Sequence, residues 1–340
     1  MIVVSTLIIL LLNKKNTLED NLKKLGYNNS EIIEIKTLKV ESINYILELE
    51  YNEIYAKLIE EEEFKEDNLI KYIDYYKQYK INPTSVIEIV NNNLESYIYK
   101  DFIIEIIHSK YYIQNRFERY YNYKNNHLDT SIESVIEIVN TNNDYTYYTT
   151  DFESNFNKGI LVLVNKFYKA DKFEPTNLVN IGASYGGNNH YIQDVAYEEY
   201  KKMYNDMKKV GLNLVIRSSY RSYTTQASLY NNYVARDGIN AADTYSARSG
   251  YSEHQTGLAI DIGANSYSDL GDFEYTSEFN WISNNAYKYG FILRYPKDKQ
   301  AITGYMYEPW HYRYVGVEAA TYIHDNNITF DEYYSYFVEK

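Results

Sequence analysis

The chain contains no cysteine among its 340 residues. This absence excludes disulfide bonds, thiolate metal ligands and cysteine nucleophiles. Any metal site must therefore use histidine, aspartate or glutamate side chains. Histidine is also scarce, which leaves few candidates to consider. The six histidines are His108, His127, His190, His254, His311 and His324.

Positive charge is in deficit across the chain. Lysine and arginine together number 34 against 47 acidic residues, and the net charge is −13. A surface that binds nucleic acid needs a basic face to neutralise phosphates, so we expect no nucleic-acid partner. A neutral or cationic substrate is compatible with this charge. The 43 tyrosines are typical of an AT-rich genome, and a stacking surface for sugars is the alternative interpretation.

A long hydrophobic run is also missing. The apolar stretch between Met1 and Asn13 has about a dozen residues, whereas a membrane-spanning helix needs about 18 or more. Its length suits the centre of a signal peptide, but no lysine or arginine precedes it and no clear cleavage site follows. We predict that residues 1–14 form a weak export signal or membrane anchor. The alternative is a buried N-terminal segment.

The length of the chain suits two domains, the first of which contains repeats. The heptapeptide Ser85–Asn91 recurs without change as Ser134–Asn140. A repeat spacing of about 50 residues is typical of helix pairs that bury their apolar faces by stacking on neighbours. We therefore predict an all-α helical-repeat domain over residues 15–150. Its interpretation as a spacer is favoured over recognition of the cell wall or of a partner.

A polar segment rich in Asn and Thr, residues 141–158, predicts the domain boundary. Beyond it the pattern alternates between strands and helices with short connections, and we predict an α+β domain over residues 155–340. Its central antiparallel sheet is expected to be flanked by helices. The predicted strands are 159–164, 212–216, 258–263, 291–295 and 305–314. The predicted helices are 194–209, 224–235, 279–289 and one that begins near 317.

Two of the histidines lie near acidic residues in a way that suggests a metal site. Catalytic zinc uses three protein ligands and keeps one position open. His254, Asp261 and His311 provide such a set, and Glu308 is a further carboxylate close to His311 in sequence. A carboxylate beside a zinc-bound water can take its proton and pass it to a leaving amine, so the set favours amide hydrolysis. Spacing alone does not distinguish this site from a chance occurrence.

The wider motifs carry a resemblance to a known family. Residues 252–261 read Ser-x-His-x-x-Gly-x-Ala-x-Asp, and residues 308–311 read Glu-x-x-His. With these motifs the chain resembles the VanY-type D-alanyl-D-alanine carboxypeptidases, within the zinc peptidase group that includes the D-Ala-D-Ala dipeptidases and the hedgehog amino-terminal domain. The segments Ser219–Gln226 and Trp281–Pro296 are also similar to this family. The resemblance spans roughly residues 155–325.

The resemblance implies a metal centre with one Zn²⁺. In it His254, Asp261 and His311 are the zinc ligands, and Glu308 is the catalytic base. Arg221 is implied to stabilise the polarised carbonyl oxygen or the carboxylate of the substrate, since a guanidinium can bind either with two hydrogen bonds. A structural ion pair is the alternative for Arg221.

Two more residues are predicted to bind substrate. Gln226 follows Arg221 at the start of a predicted helix, and its amide could bond the substrate's terminal carboxylate or amide. A capping or surface role is the alternative. Ser252 is either a substrate contact or a turn residue.

The resemblance implies an enzyme that removes the terminal D-Ala from peptidoglycan stem peptides, outside the cytoplasm of a bacterium, at the cell wall or membrane. The alternatives on the same stem peptide are an L,D-carboxypeptidase and an endopeptidase. A non-enzymatic alternative is a wall-binding module that contains zinc, and another is an interaction protein that works through its repeats. Glu308 argues against structural zinc, because a structural site needs no base.

Overall fold

The computed structural model describes residues 17–97, 100–150, 152–264 and 270–339. The segment 1–14, which the sequence predicts as an export signal or anchor, lies outside the described residues. Among the residues that are described, every helix is too short or too polar to cross a bilayer.

The chain forms two compact units that divide between Gln114 and Asn115. The first unit is helical. Its helices are Leu18–Leu25, Asn29–Ile35, Val40–Leu47, Glu53–Glu60, Leu69–Tyr79, Pro83–Asn91 and Lys100–Ile107. Polar caps fix where several of them begin: Asn82, for example, accepts a hydrogen bond from the backbone of Ser85 and starts the helix of the first heptapeptide copy.

Each heptapeptide copy makes an equivalent hydrogen bond to a tyrosine. The hydroxyl of Tyr72 donates to Asn91 Oδ1 at 2.6 Å, and the hydroxyl of Tyr120 donates to Asn140 Oδ1 at 2.5 Å. In each copy the final asparagine of the heptapeptide meets a tyrosine from the preceding helix. The repeat seen in the sequence is therefore a repeat of helix pairs in the structure.

The division into units differs from the boundary that the sequence places in residues 141–158, since the second heptapeptide copy belongs to the second unit. Side chains that flank the helix pair of this copy form an ion pair and a hydrogen bond with residues later in the chain. Arg116 pairs with Glu339 at 2.6 Å, and Asn142 donates to the hydroxyl of Tyr168 at 3.3 Å. The domain limits as functional divisions stay a prediction.

The second unit combines helices with short sheets. Its helices are Phe117–Asn126, Ile132–Asn140, Asp194–Lys209, Tyr223–Asp237, Ile239–Tyr245, Ser277–Ser283, Gln300–Thr303, Val317–Asn326 and Phe330–Tyr333. Its strands are β1 (Phe152–Glu153), β2 (Tyr168–Lys169), β3 (Leu178–Gly182), β4 (Gly187–Gln193), β5 (Val215–Ser218), β6 (Ala259–Gly263), β7 (Phe291–Leu293) and β8 (His311–Tyr314).

The central sheet has four strands in the order β5-β6-β8-β7, and every neighbouring pair is antiparallel. Its apolar face packs on the helix Asp194–Lys209, which buries Tyr200, Met203 and Met207 in the same core as Ile260 and Ile262 of β6. The predicted α+β class with an antiparallel sheet is confirmed. The predicted bounds of this helix, 194–209, are confirmed as well.

Some predicted elements are wrong. The apolar run 159–164 is not a strand, because Gly159 adopts φ 57° within a short 3₁₀ segment, Phe156–Leu161. The carbonyls of Ile160 and Val162 accept hydrogen bonds from the Arg313 guanidinium instead of from a neighbouring strand. The predicted strand 305–314 is reduced to β8. The hairpin of β3 and β4 was not predicted.

Gly290 provides a test of the fold at the start of β7. It has φ +80°, and a Cβ there would lie 2.9 Å from the backbone carbonyl carbon of Gly316. We expect Gly290→Ala to lower the free energy of unfolding by about 1–3 kcal/mol for the left-handed backbone and by about 1–3 kcal/mol more for overpacking. Urea denaturation measures both contributions.

Gly211 is the matched control, since it also has φ +80° but no atom lies within 4 Å of the position that a Cβ would take there. Gly211→Ala should carry only the backbone cost. Equal destabilisation by the two variants would contradict the close approach of Gly290 to Gly316.

Candidate metal centre

Pairing of β6 with β8 brings two predicted ligands together. Asp261 on β6 is the register partner of His311 on β8, so the two side chains share one face of the sheet. This is the face opposite the apolar one, because side chains alternate along a strand. His254 comes from a short 3₁₀ turn, Glu253–Thr256, that leads into β6 and ends at Gly257 with φ 70°. Glu308 precedes β8 and lies close to its first residue.

The three predicted ligands converge on one point. One ligand atom each from His254, Asp261 and His311 can be chosen so that all lie within 4.8 Å of one another, and all three residues are buried. Asp261 Oδ2 is 3.3 Å from His254 Nε2, and Asp261 Oδ1 is 3.0 Å from His311 Nδ1. Within the described residues Asp261 Oδ1 has no hydrogen-bond partner. Two imidazoles and a carboxylate in this arrangement fit a zinc ion.

A contact with the backbone of Ser219 fixes the orientation of the His254 ring. Its Nδ1 lies 2.8 Å from the carbonyl oxygen of Ser219, so Nδ1 carries the proton and Nε2 faces the cluster with a lone pair. Burial, helped by the nearby charge of Arg221, lowers the pKa of His254 to about 4. The ring is therefore neutral at neutral pH, which is the form that binds a metal.

The pKa values of the two acidic groups in the cluster, Glu308 and Asp261, are shifted in opposite directions. Burial raises the pKa of Glu308 to about 8, against the opposing effect of His311. Burial alone would also raise the pKa of Asp261, but His254 and His311 hold it well below its usual range. Glu308 Oε2 lies 3.6 Å from His311 Nδ1. One carboxylate is thus a permanent anion suited to bind a cation, while the other can exchange a proton near neutral pH.

Arg221 lies beside Asp261. Its Nη1 is 3.6 Å from Asp261 Oδ2, and its Nε donates to Gln226 Oε1 at 2.9 Å. A second hydrogen bond runs from Nη1 to the hydroxyl of Ser218. These contacts hold the guanidinium at the edge of the cluster while part of it lines the cavity.

Gln226 is placed differently from its prediction as a substrate contact. Its side chain is fully buried, and Nε2 donates to the carbonyl oxygen of Ala247 at 2.7 Å while Oε1 accepts from Arg221. Both ends of the amide are therefore bonded within the protein. Gln226 lies behind Arg221 and holds it in place, a role that its position five residues after Arg221 did not reveal.

A cavity of about 320 Å³ opens onto the cluster. It is lined by His254, Asp261, His311, Glu308, Arg221 and Ser252, so six of the seven predicted site residues face it. Most of the remaining wall consists of aromatic and aliphatic side chains, among them Leu229, Tyr233, Tyr245, Tyr305, Met306 and Trp310, and Arg236, Ser246 and Glu253 also line the cavity. The cavity suits a small ligand with polar ends and an apolar body.

Sequence reasoning missed Glu253, which is buried beside His311 and also lines the cavity. Its Oε2 lies 3.5 Å from His311 Nε2, and its Oε1 accepts hydrogen bonds from two buried arginines. The residue stands between Ser252 and His254 at a position that the motif leaves open. The available signal in the sequence was a charged residue, Glu253, directly before the predicted ligand His254.

Comparison with known proteins gives the family. Residues 189–317 match the family described as VanY: D-alanyl-D-alanine carboxypeptidase. A putative carboxypeptidase of Bacillus subtilis, YodJ, is 44% identical over 52% of this chain and 67% of its own length. A D-alanyl-D-alanine carboxypeptidase of Enterococcus faecium is 32% identical over 72% of this chain and 76% of its own length.

A solved structure agrees with this placement. The LdcB LD-carboxypeptidase is similar to this chain with a TM-score of 0.50 and 41% identity, over 54% of this chain and 89% of that structure. The segment 189–317 that matches the family contains the central four-stranded sheet and the residues of the cluster. The chain therefore belongs to the VanY family of D-alanyl-D-alanine carboxypeptidases.

Proposed function

We propose that this protein is a zinc carboxypeptidase that removes the terminal D-Ala from peptidoglycan stem peptides. The convergence of His254, Asp261 and His311 in a cavity that also holds a buried carboxylate is the observation that carries this proposal. Membership of the VanY family supports it, as do relatives named D-alanyl-D-alanine carboxypeptidase in two Enterococcus species.

His254, Asp261 and His311 would hold one Zn²⁺, which when bound acts as a Lewis acid and lowers the pKa of water. The protein prepares these ligands in advance. The Ser219 carbonyl sets the proton of His254 on Nδ1, and Asp261 is held as an anion by its surroundings. His254 and Asp261 are therefore in their binding forms at neutral pH. Asp261 and Glu253 raise the pKa of His311 to about 9 against the effect of burial, so this ring would release a proton when it binds the metal.

Glu308 is the proposed general base and acid. It faces the cavity beside His311, and burial raises its pKa to about 8. A nearby cation would oppose this shift, so the group can take a proton from the attacking water at neutral pH. It can then return the proton to the leaving amine, because a group whose pKa is near the working pH both accepts and donates.

Arg221 is the proposed electrostatic partner of the substrate. Its charge lies at the cavity edge beside Asp261, and Gln226 and Ser218 fix its direction. A guanidinium in this place can bind the terminal carboxylate of the peptide or the oxygen that becomes negative during attack. Ser252 lines the same cavity and is proposed as a further substrate contact.

Other functions on cell-wall peptides are alternatives to this proposal. The structural relative LdcB is named an LD-carboxypeptidase, which keeps an L,D-specific enzyme as the second candidate. An endopeptidase or a zinc-containing wall-binding module is less favoured, because the family description names a carboxypeptidase and Glu308 supplies a base. Because the substrate class is cell-wall peptide, we also propose that the protein works outside the cytoplasm, with the helical repeats as a spacer.

The substrate proposal is tested with stem peptides that end in D-Ala-D-Ala or in a single D-Ala. We expect purified protein to release one D-Ala from the pentapeptide, measured by a coupled D-amino-acid oxidase assay. Removal of metal with a chelator should abolish release, and zinc should restore it. Faster release from the tetrapeptide would favour the L,D alternative, and chelator-resistant turnover would contradict the zinc proposal.

The role of Glu308 is tested with Glu308→Gln, which keeps the shape of the side chain but removes the base. We expect kcat to fall by about 10²–10⁴-fold while the zinc content stays at that of the wild type. Glu318→Gln is the control, since Glu318 is exposed on the helix Val317–Asn326. Full turnover by Glu308→Gln would rule out the proposed proton transfer.

The placement of Gln226 gives a separate prediction. Gln226→Leu removes the acceptor for Arg221 Nε, and a hydrogen bond to a charged group contributes about 1.5–3 kcal/mol. We expect kcat/KM to fall by about 10–100-fold, with zinc content unchanged because the Gln226 amide bonds none of the three ligands. An unchanged kcat/KM would show that Arg221 keeps its position without Gln226.

A further inference from the structure

Glu253 is a carboxylate that the proposed mechanism does not use. Its side chain has no exposure to solvent, and it immediately precedes His254 on the 3₁₀ turn that leads into β6. A buried carboxylate is costly unless charges and hydrogen bonds compensate it. The contacts of the Glu253 carboxylate therefore indicate its role in the structure.

One oxygen of Glu253 is fully occupied by buried arginines. Oε1 accepts from Arg294 Nε at 2.8 Å and from Arg313 Nη1 at 3.0 Å. Arg294 is held in turn by Asp331, and Arg313 donates to three backbone carbonyls. The two guanidinium groups compensate the buried negative charge of Glu253 with charged hydrogen bonds.

The other oxygen of Glu253 is directed at a proposed zinc ligand. Oε2 lies 3.5 Å from His311 Nε2. Both atoms are buried, and in the described part of the chain neither has a hydrogen-bond partner by strict geometry. Buried donors and acceptors that stay unpaired are rare because each costs about 1–3 kcal/mol. Glu253 Oε2 can therefore act as the anionic acceptor for an N–H group on His311 Nε2.

The two nitrogens of His311 thus face different partners. Nδ1 lies 3.0 Å from Asp261 Oδ1 and 3.6 Å from Glu308 Oε2, on the cavity side. Nε2 faces Glu253, whose other oxygen is bonded to the two buried arginines. A ring whose Nε2 carries the proton has its lone pair on Nδ1, which is the nitrogen that lies in the ligand cluster.

We propose that Glu253 is a positioning residue of the metal centre: it accepts the Nε2–H of His311 and so directs the Nδ1 lone pair of His311 at the metal. This inference rests on the proposed zinc site. It completes a symmetry between the two histidines, because His254 is fixed by the Ser219 carbonyl and His311 by the Glu253 carboxylate.

The support for Glu253 reaches beyond the residues that match the family. Asp331, which holds Arg294, also accepts a hydrogen bond from Asn165 Nδ2 at 2.8 Å. The family match covers residues 189–317, so Asn165 and Asp331 lie on either side of it. Residues on both flanks of the matched segment therefore stabilise the buried arginines without contact to a ligand.

The substitution Glu253→Gln tests this role with little change in shape. An amide can still accept from the arginines through its oxygen, but its NH₂ group would then point at His311 Nε2. A donor there favours the wrong tautomer, with the proton on Nδ1 and no lone pair for the metal. The variant should therefore bind zinc more weakly even when it folds.

Asp331→Asn is the matched control. It removes one negative charge from the same buried network, and the Asp331 carboxylate bonds Arg294 and Asn165 rather than a histidine. Both variants should lower the midpoint of thermal unfolding. Only Glu253→Gln should change the tautomer of a ligand.

The experiment measures zinc affinity by competition with a chromophoric chelator, in the full chain. We expect Glu253→Gln to raise the zinc Kd by about 10–100-fold and Asp331→Asn to leave it at the wild-type value. Equal Kd values for the two variants would overturn the proposal. A wild-type protein that binds no zinc would instead contradict the proposed function, so the two failures are distinguishable.

A measurement on the wild type covers the case in which Glu253→Gln does not fold. Nitrogen-15 NMR of the zinc-loaded protein reports which ring nitrogen of each histidine carries the proton. We expect the proton of His311 on Nε2 and that of His254 on Nδ1. A His311 ring protonated on Nδ1, with the metal on Nε2, would overturn the role of Glu253.

Discussion

The antiparallel pairing of β6 with β8 is the constraint on which the site depends. Because Asp261 and His311 are register partners, a shift of one residue would send one of them to the apolar face. The register is fixed by burial on that apolar face, where Ile260, Ile262 and Tyr312 pack in the core. The hydrophobic core and the metal centre are thus two sides of the same strand pairing, and neither can change register without the other.

Burial shapes the chemistry of this site as strongly as it shapes the fold. Desolvation keeps His254 neutral and raises the pKa of Glu308. It would also raise the pKa of Asp261 if His254 and His311 did not oppose it. Specific neighbours therefore decide which groups are charged. Sequence spacing identifies the candidate groups, but the sign of each pKa shift requires the three-dimensional contacts.

The parts of the fold that were predicted correctly have strong local signals. The helix Asp194–Lys209 and the strand β6 show clear apolar periodicity, and the ligand triad lies in specific motifs. The errors arose where a distant partner overrides local pattern. The run 159–164 has the composition of a strand, yet its carbonyls bond the side chain of Arg313. The buried position of the Gln226 amide was not foreseen either, because its partner Ala247 lies 21 residues further along the chain.

The turn Glu253–Thr256 has a mechanical consequence for the metal centre. Adjacent residues of this turn reach both histidines, since His254 contributes its own ring and Glu253 faces the ring of His311. Any displacement of the turn would move one donor directly and release the other from its support. The positions of the two imidazoles therefore depend on the same turn. Distortion of this turn would disturb both histidine ligands at once.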